Sequence, residues 1–111
     1  LDKGADVNYA ADDGRTLLHG ACEHDHGDIA FRLLQDGADV DRSDGNGATP
    51  LHIASETGHV EVVKLLIKND AAINAADDGG NSPLHYACGR GDNMDVVRFL
   101  CENGADVNQR N

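Results

Sequence analysis

Two phrases recur along this chain on one period. Thr16-Leu17-Leu18-His19, Thr49-Pro50-Leu51-His52 and Ser82-Pro83-Leu84-His85 begin 33 residues apart. Gly4-Ala5-Asp6-Val7-Asn8, Gly37-Ala38-Asp39-Val40-Asp41, Asp70-Ala71-Ala72-Ile73-Asn74 and Gly104-Ala105-Asp106-Val107-Asn108 follow at spacings of 33, 33 and 34. A unit this short cannot bury its own apolar face, so consecutive units must stack into a solenoid.

Each unit reads as two helices and a projecting turn. Thr or Ser caps the first helix, Pro at its first position supplies a fixed φ where no amide bond is needed, and Leu and Ala follow on the inward face. In the middle unit this predicts a helix over 49–57. After a turn at Gly58-His59, Val60, Val62, Val63, Leu66 and Ile67 keep the three-and-four spacing of an amphipathic second helix. Lys64 and Lys68 fall in its later half, where cations suit the helix dipole. Gly37 and Gly104 stand where a left-handed residue ends that helix, and Asp70 takes the place without glycine's freedom. Asp12-Asp13-Gly14-Arg15, Asp44-Gly45-Asn46-Gly47 and Asp77-Asp78-Gly79-Gly80 are turn-forming tips between units. The fold class is an all-α repeat solenoid.

The charge balance narrows the partners. Twenty Asp and Glu against nine Lys and Arg give a formal charge of −11 over 111 residues, a field that repels phosphates and anionic lipid. Nucleic acid and membrane are poor partners for such a chain, and no apolar run reaches the length of a membrane span. The odd cysteine set, Cys22, Cys88 and Cys101, matches no disulfide framework or zinc ligand spacing, so an intracellular, reducing compartment is expected. All three read as small buried apolar side chains. The first residue is Leu1, and the chain is expected to be part of something longer.

The sequence resembles the ankyrin repeat family, through Thr49-Pro50-Leu51-His52, Ala54, Gly58, Val62-Val63 and the Gly-Ala-Asp-Val-Asn phrase, over all 111 residues. The resemblance implies stacked helix-turn-helix units with projecting β-turn or hairpin tips, the tips and first helices lining a concave groove. Within one domain, residues 11–43, 44–76 and 77–110 read as complete units, 1–10 as the end of a preceding unit and Asn111 as the start of a following one. Unit one departs from the pattern. Leu17 replaces the usual Pro, Glu23-His24-Asp25-His26-Gly27-Asp28 disrupts the inter-helix turn, and Arg32 falls where an apolar residue is expected, leaving the register of its second helix open. Unit three carries an extra residue within Gly89-Arg90-Gly91-Asp92-Asn93-Met94. Neither end shows the polar outer face of a capping unit, so flanking repeats are expected.

Chemical constellations are sparse. His19, His52 and His85 share one repeat position, which packing predicts and a single active site does not; the resemblance implies that they bond to the capping hydroxyl and to backbone near the next turn. His24 and His26 among Glu23, Asp25 and Asp28 have zinc or nickel chemistry, yet alternate turn residues rarely converge on one ion. Gly45-Asn46-Gly47 and Gly89-Arg90-Gly91 lack the strand and Lys-Ser/Thr context of a phosphate loop. Ser43, Ser55 and Ser82 have no His and carboxylate partners at motif spacing, and the paired tip acids lack the desolvation that separates two pKa values. No enzyme, metal, cofactor or small-molecule substrate is expected.

Function then belongs to positions that differ between units. At the tips these are Asp12, Asp13, Arg15, Gly45, Asn46, Ala48, Asp78, Gly79 and Asn81; on the exposed turn of the first helices, Glu23, His24, Glu56, Thr57, Gly89 and Arg90. By resemblance they line a groove that binds a protein partner, and their acidity suits a basic or mixed-charge surface. Tyr86 is a lone aromatic where Gly20 and Ile53 stand elsewhere, and packing between units is its expected role. A monomer is expected. Two other readings remain: a structural spacer within a larger protein, and a substrate of an asparaginyl hydroxylase, since Leu66 and Leu100 precede Asn74 and Asn108 by eight residues, as Leu33 precedes Asp41.

Overall fold

A computed structural model of the protein describes residues 7–90 and 93–107, the Arg90 side chain excepted. Six helices form three pairs: α1 (Leu17–Glu23) with α2 (Gly27–Gln35), α3 (Pro50–Thr57) with α4 (Val60–Lys68), and α5 (Pro83–Arg90) with α6 (Met94–Glu102). Each first helix packs on the next first helix, and each second helix on the next second helix, giving two parallel layers. Among the described residues there is no strand, and the tips are tight turns.

The capping phrase is the joint of the stack. Thr16 and Thr49 accept a hydrogen bond from the backbone N–H of His19 and His52, while each imidazole Nδ1 accepts the N–H of its own cap residue, at 3.1 and 3.0 Å. Nδ1 is therefore an acceptor, which places the ring proton on Nε2. That Nε2 donates to the next tip, His19 to the Ala48 carbonyl at 2.9 Å and His52 to the Asn81 carbonyl at 2.8 Å. Ser82 and His85 repeat the cap geometry. Burial lowers the pKa of His19 and His52, although the accepting carbonyls pull the other way. Protonating Nδ1 would also set a donor against the cap N–H.

The core follows the repeat. Leu18, Leu51, Ala54, Val62, Val63, Leu66 and Leu100 are at most 1% exposed, and Ala30, Leu33, Ala87 and Val96 extend the same line. Unit one keeps the common register after all, because α2 and α4 begin 33 residues apart, at Gly27 and Val60. Asp25 adopts φ 57°, taking the left-handed place that Gly58 holds at φ 83°, and so the turn is preserved. Arg32 in that helix faces solvent and pairs with Asp36 at 3.4 Å. Asp70, at φ 69°, is left-handed between the helix-ending glycines Gly37 and Gly104, at 97° and 102°.

The extra residue of unit three lies at a joint whose Gly91 and Asp92 are outside the described residues. On its far side, the Asn93 amide donates to the carbonyls of Ser55 and Glu56 at 3.0 and 3.1 Å. Gly58 admits this contact, since a Cβ there would stand 2.4 Å from Asn93 Oδ1.

The cysteine reading needs correction. Cys22 is fully buried, with its thiol pushed up to about 12 by desolvation, whereas Cys88 and Cys101 are exposed. Cys88 holds the position of Cys22 and Ser55, but it opens on the C-terminal end of the stack beside Leu84 and Val107, where no described unit covers it.

Candidate functional site

The tips are joined edge to edge. Gly45 N–H donates to the Asp13 carbonyl at 2.7 Å, and Asp78 N–H to the Asn46 carbonyl at 3.0 Å. In tips two and three, one carboxylate anchors the turn: Asp44 Oδ1 accepts from the N–H groups of Asn46 and Ala48, and Asp77 Oδ1 from those of Gly79 and Asn81, at 2.8–3.0 Å. Tip one has Ala11 at that position, and Asp13 Oδ1 instead accepts the Arg15 N–H at 3.0 Å.

The second Asp44 oxygen faces the first helices. Arg15 donates to Glu23 of α1 at 2.6 Å, and its Nε lies 3.8 Å from Asp44 Oδ2, so one guanidinium spans two carboxylates across the first unit junction. At the second junction Tyr86 of α5 donates its hydroxyl to Asp77 Oδ2 at 2.5 Å and sets its ring edge-on to His52, 4.8 Å between centroids. Burial tends to raise the Asp77 pKa, but the Tyr86 hydroxyl and the two tip amides hold it below its ordinary value. The Tyr86 phenol is pushed up, by burial first and then by Asp77.

Most of the differing positions are open to solvent at the tips and on the first helices. Asp12, Asp13, Asn46 and Asp78 are exposed at the tips, Asn81 is half-buried, and Glu23 and Glu56 are exposed on α1 and α3. Three positions behave otherwise. Ala48 is 3% exposed and lends its carbonyl to His19, so it is scaffold. Thr57 directs its hydroxyl back to the Ile53 and Ala54 carbonyls at 3.1 Å. His24 turns toward the N-terminal end of the stack, and the Arg90 side chain lies outside the described residues. Asp44 and Asp77 were missing from the sequence-derived set, although Ala11 stands at their position in unit one; Tyr86 was the signal that position 77 also carries something particular.

A depression of about 880 Å³ lies on that N-terminal end, lined by Leu17, Gly20, Ile29 and Leu33 with polar neighbours. Their counterparts Pro50, Ile53, Val62 and Leu66 are buried within the stack. Its apolar character is thus that of a unit-to-unit surface. Ring centroids of His24 and His26 stand 6.1 Å apart, and Asp25 lies 3.7 Å from His59 rather than with them; among the described residues no group of three His, Cys, Asp or Glu is placed to hold a metal ion.

The family model for ankyrin repeats in three copies matches residues 37–111, and that for a single ankyrin repeat matches 13–45. The chain belongs to the ankyrin repeat family. Ankyrin repeats are generally protein–protein interaction modules, and the family is typically non-enzymatic. A comparison with curated proteins found no match. Among the described residues of this ankyrin chain, no helix is long and apolar enough to cross a membrane.

Proposed function

We propose that this ankyrin array is a non-catalytic binding module that presents its tips and first helices as one rigid concave surface to a protein partner. The supporting observation is the division of labour between positions. Residues at positions that keep their type in every unit are used up in capping, in the imidazole bridges and in the core, whereas Asp12, Asn46, Asp78, Glu23 and Glu56 stand at positions that change in at least one unit and are exposed at the tips and on the first helices. That face is acidic, which suits a basic or mixed-charge partner whose association slows as salt rises. A partner burying about 1,200–2,000 Å² in total would be ordinary for such a surface.

The hydroxylase-substrate reading has less behind it. The Asn74 amide donates to the Gly104 carbonyl at 3.1 Å and accepts the Asp106 N–H at 2.8 Å, so stacking already accounts for an asparagine there. Affinity capture from cell extract, comparing the chain with a variant carrying Arg15, Glu56, Asn81 and Arg90 changed to Ala and matched for folding by circular dichroism, tests the proposal. A protein retained by the parent and lost by the variant supports it; identical capture, or none, favours a structural spacer.

A further inference from the structure

Asn-Gly occurs twice in the chain, as Asn46-Gly47 in the second tip and as Asn103-Gly104 after α6. The pair has a chemistry of its own. An asparagine side-chain carbonyl carbon can close a five-membered ring with the main-chain nitrogen of the next residue, and a following glycine puts no Cβ in the way.

The two sites are held differently. At the end of α6 the Asn103 side-chain amide donates to the Phe99 carbonyl at 2.8 Å, and its N–H to the Phe99 and Leu100 carbonyls at 3.1 Å. Asn46 is exposed, and among the described residues no hydrogen bond holds its side chain. Its main chain is held instead: the Asn46 N–H donates to Asp44 Oδ1 at 2.8 Å, the Asn46 carbonyl accepts the Asp78 N–H at 3.0 Å, and the Gly47 N–H donates to the Asp44 carbonyl at 3.0 Å. Because the Gly47 nitrogen is the attacking atom, the tip must open locally before the ring can close, and exposed turns open at the lowest cost.

We propose that Asn46 is a site of spontaneous deamidation, with water as the co-reactant. The Gly47 nitrogen loses its proton to solvent and bonds to Asn46 Cγ; the Cγ–Nδ2 bond breaks, and the amide nitrogen takes up a proton and leaves as ammonia. Water then opens the cyclic imide at Cγ to give aspartate, or at the main-chain carbonyl to give isoaspartate. Either way, one amide and one water become one carboxylate and one ammonium ion.

The two products load the stack differently. Unit one already carries Asp13-Gly14 at the equivalent place, with Gly14 at φ 82° against 80° for Gly47, and the Asp13 carbonyl accepts the Gly45 N–H at 2.7 Å. Aspartate at position 46 therefore keeps the tip and adds a negative charge to it. Isoaspartate lengthens the main chain by a methylene and shifts the peptide carbonyl that the Asp78 N–H uses, so it loosens the second junction. The modification is a property of the chain itself and stands apart from any partner of the tip face.

The test incubates the intact chain for several weeks in mildly alkaline buffer, with proteolytic peptides followed by mass spectrometry for carboxyl-for-amide exchange and for isoaspartate. Asn46 should convert about fivefold or more faster than Asn103, whose side chain has a further hydrogen bond to break. It should convert more slowly than in a synthetic peptide of residues 42–50, where no tip must open. Asn46→Gln, which would need a six-membered ring, should stop the change at the tip. Asn46→Asp should melt with the parent chain, and the isoaspartate form, separated by charge, should melt below both. Conversion of Asn103 as fast as Asn46, or Asn46 intact at the end of the incubation, overturns the site; an isoaspartate chain that melts with the parent overturns its effect on the junction.

Discussion

Leu51 and Leu84 occupy the same position of the repeat, yet Leu51 is fully buried and Leu84 only half-buried. The contrast recurs between Val62, 1% exposed, and Ile29, 47% exposed, and between Cys22 and Cys88. Burial at these positions belongs to facing a described neighbouring unit and not to the residue type alone: Cys22 in the end unit is covered, whereas Cys88 and Leu84 open on the other end. The middle pair, α3 and α4, therefore carries the highest stakes for stability, and the ends carry apolar surface shaped like the inside of the stack.

Truncation should expose this difference most strongly. Leu51→Ala is expected to cost about 2–5 kcal/mol, the range for a closed core site, and Leu84→Ala markedly less. Urea unfolding of both variants is the check, and equal losses would break the comparison.

Next in size is the imidazole bridge. His52→Ala leaves the Asn81 carbonyl and the Thr49 N–H without their ring partner and should cost about 1–3 kcal/mol. Because the His19 and His52 pKa values are lowered on folding, their stabilisation is present above the unfolded value of 6.5 and is lost as pH falls below it. Melting temperature should accordingly drop between pH 7 and pH 5, and the drop should shrink in His52→Ala. A flat profile in the parent chain would contradict the buried neutral ring.

Two substitutions should stabilise the middle pair. Ser55 is fully buried and its hydroxyl finds no hydrogen-bond partner among the described residues, in a position where Cys22 and Cys88 stand in the other units. Ser55→Cys should raise stability by about 1 kcal/mol by removing that desolvated hydroxyl. Asp70→Gly should add up to about 1 kcal/mol by relieving the left-handed backbone at φ 69°. Unchanged or lower thermal midpoints would count against either account.

The repeat made much of the fold legible, for a physical reason: helix starts, caps and core positions depend on neighbours in sequence, which the period aligns. The turn after α1 escaped because Glu23-His24-Asp25-His26 lacks glycine, and only the backbone shows Asp25 supplying the left-handed angle. Exposure of Cys88 and Cys101 was illegible, since position in a unit does not say whether another unit covers it. On the tip face, subtraction of repeating residues found Glu23, Glu56 and Arg15 but not their grouping. The Arg15 contacts and the Tyr86 bond to Asp77 cross eight, nine and 29 residues of chain, separations that no repeat period ties together, and Asp44 and Asp77 were not among the residues singled out.

The central claim is that repeating residues hold the stack while differing residues on one face make the contact. It is tested most directly by the amide chemical-shift footprint of a captured protein partner on the isotope-labelled chain. Perturbations confined to residues 12–15, 45–47 and 78–81 and to the exposed side of α1, α3 and α5 are the predicted result. Perturbations centred on α2, α4 and α6, around Glu61, Lys64 and Arg98, would contradict it.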